Sequence, residues 1–220
     1  MKKQILFLFT SLVVISSYCQ TTENNTSKDS VTSKEAPVDS EKRGQVNRRQ
    51  QMMAKIEAVA TFPVINAGTF SGVVPIEDIT ETPDPNLEYK LLFELVNFDD
   101  EKPSDLNAGL VEVARIINLH AASGIPLEKT YPVIVVHAAA LNSFTTNEFY
   151  NGKFEMDNPN MKLIEELENL GAKFISCGQA MFFFEVDKEA LLPMFKISLT
   201  AQTILSSYQM KGYVKYRINR

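Results

Sequence analysis

Apolar positions crowd into residues 5–15 and nearly vanish over 20–50. Prolines at 63, 75, 83 and 85 cut up the next stretch, and from residue 87 the apolar positions alternate between two periods. Near-continuous apolar runs at 89–96, 132–138 and 173–177 predict buried strands. Between the first two, Leu110, Ala114, Ile117 and Ala121 recur at helical spacing, predicting a helix over 107–123 that Gly124 and Pro126 stop. Asn158-Pro159 opens a second helix through Leu163, Ile164, Leu167 and Leu170, closed by Gly171. A helix-like segment follows residue 177. Asp187 is placed to N-cap a short helix that ends before Pro193. A short fourth strand over 194–197, a last helix over 199–210 and a more polar edge strand over 213–218 complete the pattern.

Apolar strands alternating with amphipathic helices predict a mostly parallel sheet covered on both faces. The expected fold is α/β: a flavodoxin-like three-layer arrangement with roughly five strands over residues 87–220, long enough for a real core. Ahead of it, residues 51–86 read as a short helix, through Met52, Met53, Ile56 and Val59, followed by a proline-rich extended arm. Residues 20–50, rich in Thr, Ser, Asn, Glu and Lys, lack the apolar surface to offset ordering entropy and read as a disordered polar tether. The sequons at Asn24 and Asn25 carry little meaning in such a segment.

The first nineteen residues change the compartment. Lys2 and Lys3, the apolar stretch and Ser17-Tyr18-Cys19 form a secretory signal peptide, with cleavage between Cys19 and Gln20 and a periplasmic or secreted product. A lipidated Cys19 is the rival reading, but Tyr18 stands where lipoprotein signals carry a small residue. No further apolar run is long enough to span a membrane. A net charge of −5, with only a brief basic run at 43–49, argues against nucleic acid.

Two cysteines occur in the chain, so cleavage after Cys19 leaves Cys177 alone in a compartment that permits disulfides. It points to a partner, a modification or a free thiol, or else to a thiol packed as a small hydrophobe. In a parallel sheet all carboxyl ends share one edge, where α/β proteins bind ligands. Asn97, Asp99 and Asp100 follow the first strand, His137 ends the second, and Cys177, Gly178 and Gln179 end the third. Cys177 at a helix start is expected to favour thiolate, and Gly178 to leave the sulfur approachable. His137 is expected within reach to shuttle a proton, with Gln179, Gly178, Asn97 and Asp99 as substrate contacts. Each has a plainer reading: His137 hydrogen-bonded at a strand end, the aspartates as loop solvation or a helix cap, Gln179 as a turn cap. His120 reads as a packed or surface side chain. Two histidines and one cysteine far apart give no zinc spacing, and no Cys-x-x-Cys, G-x-S-x-G, P-loop or dinucleotide fingerprint occurs, so no metal or cofactor is implied. Met181-Phe182-Phe183-Phe184 reads as core or, if exposed, a subunit contact.

Several segments together resemble the DsrE/DsrF-like family of sulfur-relay proteins. They are the first strand with its aspartates (residues 93–100), Val135-Val136-His137-Ala138-Ala139-Ala140, Asn158-Pro159-Asn160, Ser176-Cys177-Gly178-Gln179 and the tail from Leu192-Pro193 to Gly212-Tyr213. The likeness spans residues 87–220, and the arm is similar to that of exported members. It implies a flavodoxin-like fold and a homo-oligomer (dimer, trimer or hexamer). It also implies a cysteine that carries sulfur as a persulfide between donor and acceptor proteins, here Cys177 alone. The expected function is thus an exported thiol protein that carries or transfers sulfur through Cys177. The alternative is a non-catalytic module that binds a small ligand or assembles into an oligomer, with an incidental cysteine.

Overall fold

The computed structural model describes the backbone of residues 37–218 and side chains from residue 44. The predicted signal peptide, its cleavage site and the sequons lie outside the described residues. From Pro37 the chain corrects one expectation: α1 (Pro37–Val59) is a single helix, where the sequence reading keeps a tether to residue 50. Proline suits the first helical position, and the Gln, Arg, Lys, Met and Ala that follow are good helix formers. Polarity removes a buried face, not the helix. Between residues 45 and 59 only Met53 and Ile56 are half-buried; the rest are exposed.

The arm follows. Thr61 and Val73 pair in an antiparallel bridge around one 3-10 turn, Thr69–Ser71. One side chain from the helix after β1 (Tyr89–Leu95) holds this loop: α2 (Ala108–Ala122) contributes Asn118, which is fully buried. Its Oδ1 accepts from Val64 N and Ile65 N, both at 3.0 Å, and its Nδ2 donates to Ile65 O at 2.7 Å and Ser71 O at 2.8 Å. Four main-chain groups of a strandless segment are thereby satisfied in the interior.

The sheet continues through β2 (Thr130–Val136), α3 (Asn147–Phe154), α4 (Met161–Asn169), β3 (Lys173–Cys177), α5 (Gly178–Phe183), β4 (Lys196–Ser198), α6 (Ala201–Met210) and β5 (Val214–Ile218). All pairings are parallel, in the order β4-β3-β2-β1-β5, which is the α/β arrangement of a flavodoxin-like fold. Pro132 is tolerated inside β2 because β3 pairs only from Val133 onward. The final strand lies at an edge, as its polarity predicts.

Right-handed crossovers put α2 and α4 on one face of the sheet; the return connection β4–α6–β5 runs the other way and puts α6 opposite. Leu95 points toward α2, since a Cβ on Gly109 would meet its Cγ at 3.2 Å. Strand alternation therefore turns Glu94 to the α6 face. The unassigned stretch between β2 and α4 holds a 3-10 segment, Ala138–Phe144, and α3, whose N-cap Thr146 accepts from Phe149 N. The Asp187 helix is one 3-10 turn, Lys188–Ala190, without a side-chain cap. The helix expected from Asn158-Pro159 begins at Met161; its N-cap Asn160 makes no side-chain cap bond because Asn160 Oδ1 accepts from Asn107 N.

Candidate functional site

A line of buried amides builds the carboxyl edge of the sheet. Asn158 donates to Ser143 O and Thr145 O, and its Oδ1 accepts from Asn160. Asn160 Oδ1 accepts from Asn107 N at 2.7 Å, and Asn107 Nδ2 donates to Asn97 O and Ser143 Oγ, both at 2.9 Å. Asn107 Oδ1 also accepts from Gly109 N and Leu110 N, capping α2 internally. Paired this fully, such a network rigidifies the loops where functional groups stand.

Cys177 ends β3 and is 4 % exposed. The pair Val136–Ser176 is in register, so His137 and Cys177 are the next residues of neighbouring strands, and alternation points both to the α6 face. Gly178 does not open a path to the sulfur; it is glycine because a Cβ there would lie 2.9 Å from the Ser198 carbonyl oxygen. Two hydrogen bonds fasten the same strand end: Ser198 Oγ to Ser176 O at 2.9 Å and Gln179 N to Leu199 O at 3.3 Å. The Gln179 side chain is exposed. Ser176 Oγ, wholly buried beside the cysteine, has no hydrogen-bond partner among the described residues. The helix after Cys177 runs only six residues, under two turns, so its end charge is small.

His137 is drawn toward β1. Its Nε2 lies 3.1 Å from Glu94 Oε1, and no hydrogen bond joins it to the thiol among the described residues. Glu94, buried on β1, also meets Lys215 Nζ at 2.9 Å, and Arg217 Nε stands 3.9 Å away, both from β5. Burial pushes the Glu94 carboxyl up, but the hydrogen bonds and charges of Lys215 and His137 outweigh it and hold the group below the ordinary carboxylate value. Clustered ionisable groups of this kind mark functional sites as well as structural ion pairs. Glu94 is the residue sequence reasoning missed: one polar position among the apolar residues 91–96 gives no signal, and two of its partners, Lys215 and Arg217, lie on the last strand.

Asn97 and Asp99 belong elsewhere. They line a cleft of about 1000 Å3 between the β1–α2 loop, Arg49 of α1 and Phe70 of the arm, and neither Cys177 nor His137 reaches it. The carboxyl edge therefore carries two separate places, a covered thiol with its His–Glu neighbour and an open cleft. No group of His, Cys, Asp and Glu side chains among the described residues is arranged to hold a metal ion.

No family model matches the chain, and no curated protein does. Among solved structures it is similar to a protein of unknown function, MTH1491 from Methanobacterium thermoautotrophicum. The TM-score is 0.44 and the identity 19 %, over 59 % of this chain and 99 % of that one, a likeness too loose to say anything of chemistry.

Proposed function

We propose that the protein is an exported sulfur carrier, related to the DsrE/DsrF-like proteins, that holds sulfur as a persulfide on Cys177. The observation that carries this reading is the position of the thiol: the one free cysteine among the described residues ends an interior strand at the carboxyl edge of the sheet, beside a histidine that a buried carboxylate holds. In the transfer step the Cys177 thiolate attacks the outer sulfur of a donor persulfide. The donor S–S bond breaks, a new S–S bond forms on Cys177, and the donor leaves as a thiolate that takes up the proton. No outside oxidant is needed. His137 receives the Cys177 proton when its ring turns from Glu94 toward β3. Sulfur must also reach a buried atom, so α5 or the end of β4 moves aside as a donor protein docks. Phe182 and Phe183, 80 % and 74 % exposed on α5, supply an apolar contact for it.

The test is incubation of the full chain with a persulfide donor, read by intact mass. A gain of one sulfur, absent in Cys177→Ser, is expected. No adduct, with a native thiol that also resists alkylation, overturns the reading. Export is tested separately by the mature N-terminus, expected at Gln20, and the homo-oligomer by mass in solution.

A further inference from the structure

The cleft beside Asn97 is large enough for a small organic ligand. Its walls include Phe70, Phe98 and Leu106, and Phe98 is held in place against Tyr150 and Phe154 at ring-centroid distances of 6.4 and 5.2 Å. Parallel α/β sheets commonly take phosphates at this position, on the free N–H groups of the following helix. Here that chemistry is closed off. Asn107 Oδ1 already accepts from Gly109 N and Leu110 N at 2.9 and 3.2 Å. The rim carries Asp99, Asp100, Glu101 and Asp105 against only Lys102 and Arg49. An independent observation points to positive charge: the chain itself seats a cation in the cleft, with the Arg49 guanidinium carbon 6.0 Å over the Phe70 ring.

We propose that this cleft binds an organic cation with an aromatic or apolar body, of the arylalkylamine class, its ammonium competing for the place of Arg49 over Phe70. The site is separate from Cys177 and stands or falls apart from the sulfur-carrier reading. The probes are 2-phenylethylammonium and its charge-reversed counterpart 3-phenylpropionate, titrated into the full chain and followed by amide NMR shifts. The ammonium is expected to give saturable shifts centred on residues 97–111, weakened by salt, while 3-phenylpropionate gives none. Asp100→Asn with Asp105→Asn, both exposed loop positions, should weaken binding about fivefold to tenfold. Arg49→Ala, which vacates the ring, should tighten it. Equal binding of the two probes, an affinity indifferent to the Asp variants, shifts lying outside the cleft, or no saturable binding of the ammonium overturns the proposal. The two-probe comparison needs no variant to fold.

Discussion

Replacing Gly178 with alanine tests how firmly the end of β4 is held over the thiol. A Cβ at 178 stands 2.9 Å from the Ser198 carbonyl oxygen, 3.6 Å from that of Leu199 and 3.7 Å from Ile197 Cγ2. The two nearest atoms are backbone, so no side-chain rotation relieves the contact and the strand end itself must shift. Overpacking of this kind costs about 1–3 kcal/mol. Alanine regains about 0.5–1 kcal/mol over glycine inside a helix, and less at the first residue of α5. The steric term wins by about 1 kcal/mol. With a urea slope of about 2 kcal/mol/M, the unfolding midpoint should fall by about 0.5 M. The shift also loosens the Ser198–Ser176 and Leu199–Gln179 hydrogen bonds, so iodoacetamide should reach Cys177 faster in the native variant. Equilibrium urea unfolding and native alkylation read by intact mass are the assays. An unchanged or raised midpoint with an unchanged alkylation rate refutes the reasoning.

Asn118→Ala should cost about 3 kcal/mol, because three buried main-chain groups of the arm and the half-buried Val64 amide lose their partner. Faster hydrogen exchange at the Val64 and Ile65 amides checks it, and unaltered protection there contradicts it. Ser176→Ala should stabilise by about 1 kcal/mol by removing a buried hydroxyl that has no partner among the described residues; a loss in thermal stability contradicts it. Glu94 fixes a pH dependence. Its native carboxyl lies below the ordinary value of 4.5, so on acidification the unfolded chain binds the proton first. Its contribution is therefore full above that value and is lost as pH falls through the native one. Glu94→Gln should flatten this part of the acid-unfolding curve, and an identical curve in the variant sinks the assignment.

Sheet, helices and strand ends are legible where pattern and punctuation agree. β3 can be read closely because Gly171 and Gly178 bracket a short, largely apolar run. α3 cannot, since Asn147–Phe154 carries Gly152 and little periodicity, and its stability rests on Tyr150, buried with its hydroxyl donating to Pro103 O at 2.7 Å. The same limit applies to the site. That His137 and Cys177 lie side by side follows from a parallel sheet alone. That the imidazole turns to Glu94 depends on a charge network completed by the last strand. The separation of Asn97 and Asp99 from the thiol depends on where Phe70 and Arg49 close the cleft, which no local spacing encodes.

The pairing of β1 with β5 also sets an order of events as the chain folds. Position 91 finds its partner at position 214, and Glu94 meets its amine only when Lys215 arrives. Until the final strand docks, β1 has one unpaired edge, and among the described residues Glu94 has His137 but not yet Lys215 beside it. Long-range pairing of this kind slows folding. A chain cut before residue 214 should leave that edge of β1 open and more susceptible to proteases, and docking of residues 214–218 completes the sheet.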